Sequence, residues 1–251
     1  MNDGITNRTR IAAFFDLDGT LTPEPALETR LFRTLRERGS IPLQNYMHYA
    51  LEALRLVRGG LAEVRHSNKK YLCGIPRDVI FGCVADIPIF DEALTRLAWH
   101  TRHGHDVVVV TGTLEPLAYL AATAIECELE ARGLPLQLFV CATRLEEKSG
   151  RWTGRLFGKA MYGPAKRDMI LQFAKHYGVD LHNSYAYGNS VHDCYMLAAV
   201  GFARVVNPRK QLAAIANLYN WPVWHWSRDQ HRTAPTSLHR PSANIQLESG
   251  V

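Results

Sequence analysis

From Asp91 to Val223 the chain repeats one pattern, and no other feature narrows its fold so far. Short apolar runs alternate with stretches of helical periodicity. Helices are predicted at Asp91–His103, Glu115–Arg132, Ala165–Tyr177, His192–Val200 and Gln211–Leu218. Strands are predicted at the run "DVVVV" ending at Thr111, at Leu136–Cys141, at "SYAYG", at Ala203–Val206 and near Val223. Ile11–Phe15 adds an apolar run of the kind found in strands buried on both faces. Strands alternating with helices call for an α/β fold, a doubly wound Rossmann-like parallel sheet. "RLEEKSGRWTGRLFG" stands apart as a hairpin turning at Lys148–Gly150.

The alternation breaks directly after the first strand. Leu27, Leu31 and Leu35 recur at helical spacing, a "GSIP" break follows at Gly39–Pro42, and a second periodic run begins. "SNKKYLCGIP" is another break, and a short helix is expected at Arg77–Val84. Residues 25–85 therefore read as an inserted helical cap domain, with 1–24 and 86–227 forming the core. The polar Pro-, Ser- and Arg-rich segment 228–251 is expected to be a mobile tail.

At 251 residues and 47% hydrophobic composition the chain can bury a sizeable core. No apolar run approaches the ~20 residues that span a bilayer. The first ten residues lack the apolar centre of a signal peptide, and the five cysteines are scattered without a CxxC pair. Both features predict a cytoplasmic protein with reduced thiols. The net charge of +5 is matched by the excess in Pro25–Lys70 alone, where nine Lys or Arg face four Glu. Such a segment suits an anionic partner or a solvated helical surface.

Ligands of open α/β sheets bind beyond the carboxyl ends of the strands. Three polar clusters fall there: "DLDGT" at Asp16–Thr20, "TGT" at Thr111–Thr113 and "GNSVHD" at Gly188–Asp193. Lys166 opens the helix between the second and third. Asp16 and Asp18, two apart, leave an extended segment on one face. One carboxylate can attack phosphorus while the other moves the proton, a division that split pKa values favour. Lys166, the Thr111 hydroxyl and amides near Gly112 suit a phosphoryl group. Acids at a phosphate site require a cation, and oxygen ligands favour Mg²⁺.

These stretches resemble a known family. "FFDLDGTLT", "VVVVTGT", Lys166 in "GPAKRDMI" and "YGNSVHD" match in order the four motifs of haloacid dehalogenase-like (HAD) phosphatases. The helical insert and "GRWTGRLFG" are similar to the branch that contains phosphoserine phosphatase, subfamily IB. The resemblance runs from about Ile11 to Trp226. It implies Asp16 as nucleophile, Asp18 as general acid and base, and Thr111, Gly112 and Lys166 as phosphate ligands. It also implies Mg²⁺ held by Asp16, the Asp18 carbonyl and position 189, with Asp193 in support.

Asn189 departs from the family, which usually has Asp there. Its amide oxygen still ligates, but one negative charge is missing. Either the chain is an active hydrolase with an altered metal site, or it is a non-catalytic phospholigand-binding HAD protein. Phosphoserine phosphatases recognise the substrate amine with a cap-side Glu nine residues after the nucleophile. Pro25 occupies that position here, flanked by Glu24 and Glu28. The substrate is thus expected to be a small phosphomonoester, phosphoserine-like or a lipid or sugar phosphate. Transfer to another alcohol is an alternative outcome. Arg55, with Arg58, Lys69 and Lys70, offers contacts for an anionic leaving group.

His100, His103 and His105 are expected to be structural or solvated, and Trp221, Trp224 and Trp226 to pack. Neither GxGxxG nor a Walker-A sequence is present, and no nucleic-acid recognition motif accompanies the basic tail.

Overall fold

Four apolar residues, Ala12–Phe15, form strand β1, and none of them reaches solvent. Period-two alternation sends Ala12 and Phe14 to one face of the sheet and Ala13 and Phe15 to the other. The computed structural model describes residues 9–84, 86–227 and, as backbone, 231–235.

After β1 come helices α1 (Leu27–Glu37), α2 (Leu43–Leu56) and α3 (Leu61–Ser67), then 3-10 turns at Lys70–Leu72 and Arg77–Gly82. Next are β2 (Asp86–Phe90), α4 (Asp91–Arg102), β3 (Asp106–Leu114), α5 (Glu115–Glu130) and β4 (Phe139–Thr143). The hairpin is β5 (Leu145–Lys148) and β6 (Arg151–Leu156). It is followed by α6 (Pro164–Tyr177), β7 (Tyr185–Gly188), α7 (Cys194–Leu197), β8 (Phe202–Val206), α8 (Lys210–Leu218) and β9 (Val223–Trp224).

Six strands form a sheet in the order β4-β3-β1-β7-β8-β9, every neighbouring pair parallel. Helices α6, α7 and α8 cover one face through Ile170, Phe173, Leu197 and Leu212. The other face carries α4 and α5 through Leu94, Leu97, Leu117 and Ile125. The doubly wound parallel sheet is therefore present. Leu27, Leu31 and Leu35 of α1 are buried in the same apolar cluster as α4 and α5, so α1 is rooted in the sheet's own core.

Two pairings escape the periodicity. Strand β2 pairs antiparallel with His231–Pro235, here β10, in a separate ribbon. Five residues of the expected tail are thus a strand, while 228–230 and 236–251 lie outside the described residues. His100 is fully buried behind the sheet, with Nε2 2.8 Å from the Tyr187 hydroxyl and Nδ1 2.9 Å from Nδ1 of His105. Trp224 and Trp226 pack as expected, Trp226 against Phe90 and Trp224 under the guanidinium of Arg96. No helix among the described residues is long and apolar enough to cross a membrane.

Candidate active site

The carboxyl ends of β1, β3 and β7 and the first turn of α6 meet at one edge of the sheet. There Nζ of Lys166 lies 2.6 Å from Oδ1 of Asp16 and 2.6 Å from Oδ1 of Asp193. All three side chains are buried. Asp193 is held on its other oxygen by the N–H groups of Asn189 (3.1 Å) and Ser190 (2.8 Å) and by the Ser190 hydroxyl (2.8 Å). Gly188 makes this loop possible, because a Cβ there would sit 2.5 Å from Cβ of Asp193.

Asp18 is half-buried and faces elsewhere. One oxygen accepts the Thr113 hydroxyl, and the other accepts the backbone N–H of Leu27 at 2.9 Å. Thr111 is buried beside it, its Oγ1 accepting the N–H of Thr113 at 3.1 Å. Gly19, at φ +87°, lets the loop after β1 pass under Asn189, whose amide nitrogen would lie 1.8 Å from a Cβ there. The buried side chain of Asn189 makes no hydrogen bond among the described residues, while its carbonyl accepts the N–H of Arg209.

The charges do not balance. Asp16, Asp18 and Asp193 place three carboxylates against one ammonium. Burial opposes the charged form of Lys166, but the two aspartates outweigh it and hold its pKa above the ordinary lysine range. Burial and the charge of Asp193 push Asp16 up, against the pull of Lys166. Burial also pushes Asp193 up, but Lys166 and the Ser190 donors bring it below the ordinary range. Burial raises Asp18, only partly offset by its hydrogen bonds to Thr113 and Leu27. An added cation would relieve this excess, and the unengaged oxygen donor of Asn189 suits a hard divalent ion. Among the described residues no three His, Cys, Asp or Glu side chains already converge as a metal cage. Two causes are evident: Asp18 is turned to Thr113, and Asp193 is bound to Lys166.

Above this floor is a cavity of about 690 Å³. Asp16, Asp18, Thr111, Gly112, Lys166, Asn189 and Asp193 line it, as do Glu24 and Glu28. Both glutamates already have partners: Glu24 holds Arg209 and the N–H of Ala26, and Glu28 accepts Lys69 and the Tyr71 hydroxyl. Arg55 is not part of the site, a correction to the sequence reading. Its side chain is 80% exposed and pairs with Glu52, because α2 turns that position outward. Arg58 is likewise exposed, and Lys69 is spent on Glu28.

Sequence reasoning missed the roof. His66 of α3 stacks on Tyr162 at 4.4 Å and meets His192 edge-on at 5.3 Å. Burial first, then the nearby cations Lys69, Arg65 and Lys166 and the neighbouring His192, push the His66 imidazole down to about 3, so it is neutral. Tyr162 also donates its hydroxyl to Glu63 of α3. His192 was visible in "GNSVHD", but nothing in the spacing pointed to His66 or Tyr162.

The haloacid dehalogenase-like hydrolase family matches residues 13–198. The chain belongs to that family. This HAD-like hydrolase is 30% identical over 240 residues to a probable phosphatase of Mycobacterium tuberculosis, covering 90% of this chain and 78% of that one. A phosphoserine phosphatase of the same organism is 28% identical over 218 residues, covering 85% of this chain and 48% of its relative. A substrate-bound phosphoserine phosphatase structure superposes with a TM-score of 0.57 at 21% identity, over 82% of this chain and 90% of that one. That likeness is one of fold.

Proposed function

We propose that this HAD-like hydrolase is a Mg²⁺-dependent phosphomonoesterase that works through a phosphoaspartate on Asp16. One observation carries the reading: Asp16 is clamped by Lys166 at the head of a cavity, while Asp18, two residues on, is held apart on Thr113 and Leu27. Both acids leave β1 together yet have different partners, as a nucleophile and a proton carrier require.

In the first half-reaction an oxygen of Asp16 bonds to phosphorus as the ester P–O bond breaks. Asp18, in its protonated form, gives its proton to the departing alkoxide oxygen. In the second, Asp18 takes a proton from water, the water oxygen bonds to phosphorus, and the Asp16 carboxylate leaves. Lys166 and Thr111 hold the phosphoryl oxygens throughout. Asp16, the Asp18 carbonyl and Asn189 would hold Mg²⁺, with Asp193 beside them. When bound, the ion supplies positive charge against the phosphoryl oxygens.

An amino-acid leaving group is poorly supported. Glu24 and Glu28 are the acids on the insert side of the cavity, and each is already satisfied. Phe32, Tyr46, Tyr49, Leu61 and Val64 line the wall there beside the polar Thr29, Arg65 and Asn68, and these five give it an apolar portion that suits an apolar body on the leaving group. In this reading the insert acts as the cap that selects it. Hydrolysis of an aryl phosphate with and without Mg²⁺, by wild type and Asp16→Asn, is the test. Mg²⁺-dependent turnover lost in the variant is expected. No turnover in wild type would favour the phospholigand-binding alternative, and turnover surviving in Asp16→Asn would exclude the covalent route.

A further inference from the structure

Helix α2 buries little of its apolar surface. Leu43, Met47, Leu51 and Leu54 recur at helical spacing on its outer side, and Val57 in the turn that follows and Leu61 at the start of α3 are exposed as well. Leu43, Leu54 and Leu61 are 85, 71 and 79% exposed. Single exposed leucines are ordinary, but a continuous stripe of this length marks an interaction surface.

Its charge is one-sided. Between residues 41 and 65 the exposed charged side chains are Arg55, Arg58 and Arg65, while Glu52 and Glu63 are partly buried. Glu63 is further occupied by Ser67 and Tyr162. Glu52 sits 3.5 Å from Arg55, which leaves Arg58 and Arg65 as the exposed cations beside the aliphatic residues, a pattern that complements an anionic amphiphile. A second copy placed on this face about a twofold axis would set the same cations against one another. The surface is continuous with the cavity, since Leu61 and Arg65 line it and are exposed.

We infer that the outer face of α2 and the start of α3 rests on an anionic lipid surface, with the cavity mouth opening at that interface. This goes beyond the phosphatase reading, because binding depends on the outer face and turnover on Asp16. A leaving group with an acyl body would pass from the surface to the aromatic wall without crossing water.

The test is co-sedimentation of the full chain with vesicles of phosphatidylcholine alone or mixed equally with phosphatidylglycerol. The variants are Leu51→Asp/Leu54→Asp and Arg55→Glu/Arg58→Glu, neither pair lining the cavity. Wild type is expected to bind the anionic vesicles, less so as salt rises, and to bind phosphatidylcholine weakly. The leucine variant should bind at least about tenfold more weakly. The arginine variant should lose at least about fivefold for each arginine replaced. Both should keep wild-type circular dichroism and aryl phosphate turnover.

Wild type that ignores anionic vesicles at low salt would overturn the inference. So would a leucine variant that binds as well as wild type. Loss of a wild-type dimer in that variant, without vesicle binding in either, would assign the face to a second copy. Vesicle binding that follows the outer face in a protein without phosphatase turnover would sink the proposed function and leave this inference standing.

Discussion

Oδ1 of Asp18 accepts the backbone N–H of Leu27 at 2.9 Å, so a carboxylate at the end of β1 caps the helix that opens the insert. Ala26, at the cap position itself, has no side chain for the purpose. The helix N-terminus in turn favours the charged form of Asp18, opposing the burial that raises its pKa. In the proposed mechanism, proton transfer and the seating of α1 therefore depend on one side chain.

Two substitutions separate those tasks. Asp18→Asn keeps an acceptor for Leu27 and should leave the melting temperature nearly unchanged, while kcat falls about 10²–10⁴-fold. Asp18→Ala removes the cap as well and should cost about 1 kcal/mol of stability besides. Equal melting curves for the two variants would mean that the Leu27 contact does not stabilise α1.

Lys166 is the single cation between two buried carboxylates, at 2.6 Å from each. Lys166→Met leaves both unpaired, and breaking a buried pair in this way costs about 3–5 kcal/mol. Urea denaturation in metal-free buffer should show a midpoint shift of that size, and aryl phosphate hydrolysis should disappear. An unchanged midpoint would mean that the aspartates are already protonated in the native protein.

Asn189→Asp adds a fourth carboxylate to a site with one ammonium. Its effect should reverse sign with metal. Without Mg²⁺ the added charge raises repulsion, so the melting temperature falls. With Mg²⁺ the added ligand tightens binding, so half-activation moves to lower concentration and the melting temperature rises. The same Mg²⁺ activation curve for both proteins would remove position 189 from the metal site.

The floor of the site was legible because its groups follow apolar strand runs or, for Lys166, open a helix. Asp16 follows four apolar residues, Thr111 follows a valine run, and Asn189 and Asp193 follow "YAYG", so period and strand polarity place them together. The roof was not, because His66 of α3 reaches Tyr162 and His192 only when α3 folds back over the sheet's edge. Arg55 misled for a related reason: helical periodicity gives relative faces, and only packing tells which one turns toward the cavity. Strand β2 was hidden by Pro88, which is tolerated in the two-stranded ribbon where it opposes Thr233.

Buried His100 gives the protein an acid-sensitive element away from the cavity. Burial first, then the neighbouring His105 and Arg96, bring its pKa from 6.5 to about 3, so native His100 stays neutral where the unfolded chain binds a proton. Its stabilisation is complete above pH 6.5 and is lost as pH falls from 6.5 toward 3. The loss from this group approaches about 1.4 kcal/mol per pH unit well below the unfolded pKa. His100→Phe removes that proton uptake while leaving the cavity untouched. Its absolute stability will differ, because the Tyr187 hydroxyl loses its partner at 2.8 Å, but its stability should fall less steeply with acidification. The difference between the two proteins' denaturation midpoints below pH 6.5 isolates the histidine, because every other titrating group is common to both. Parallel slopes would mean that His100 titrates normally in the native state.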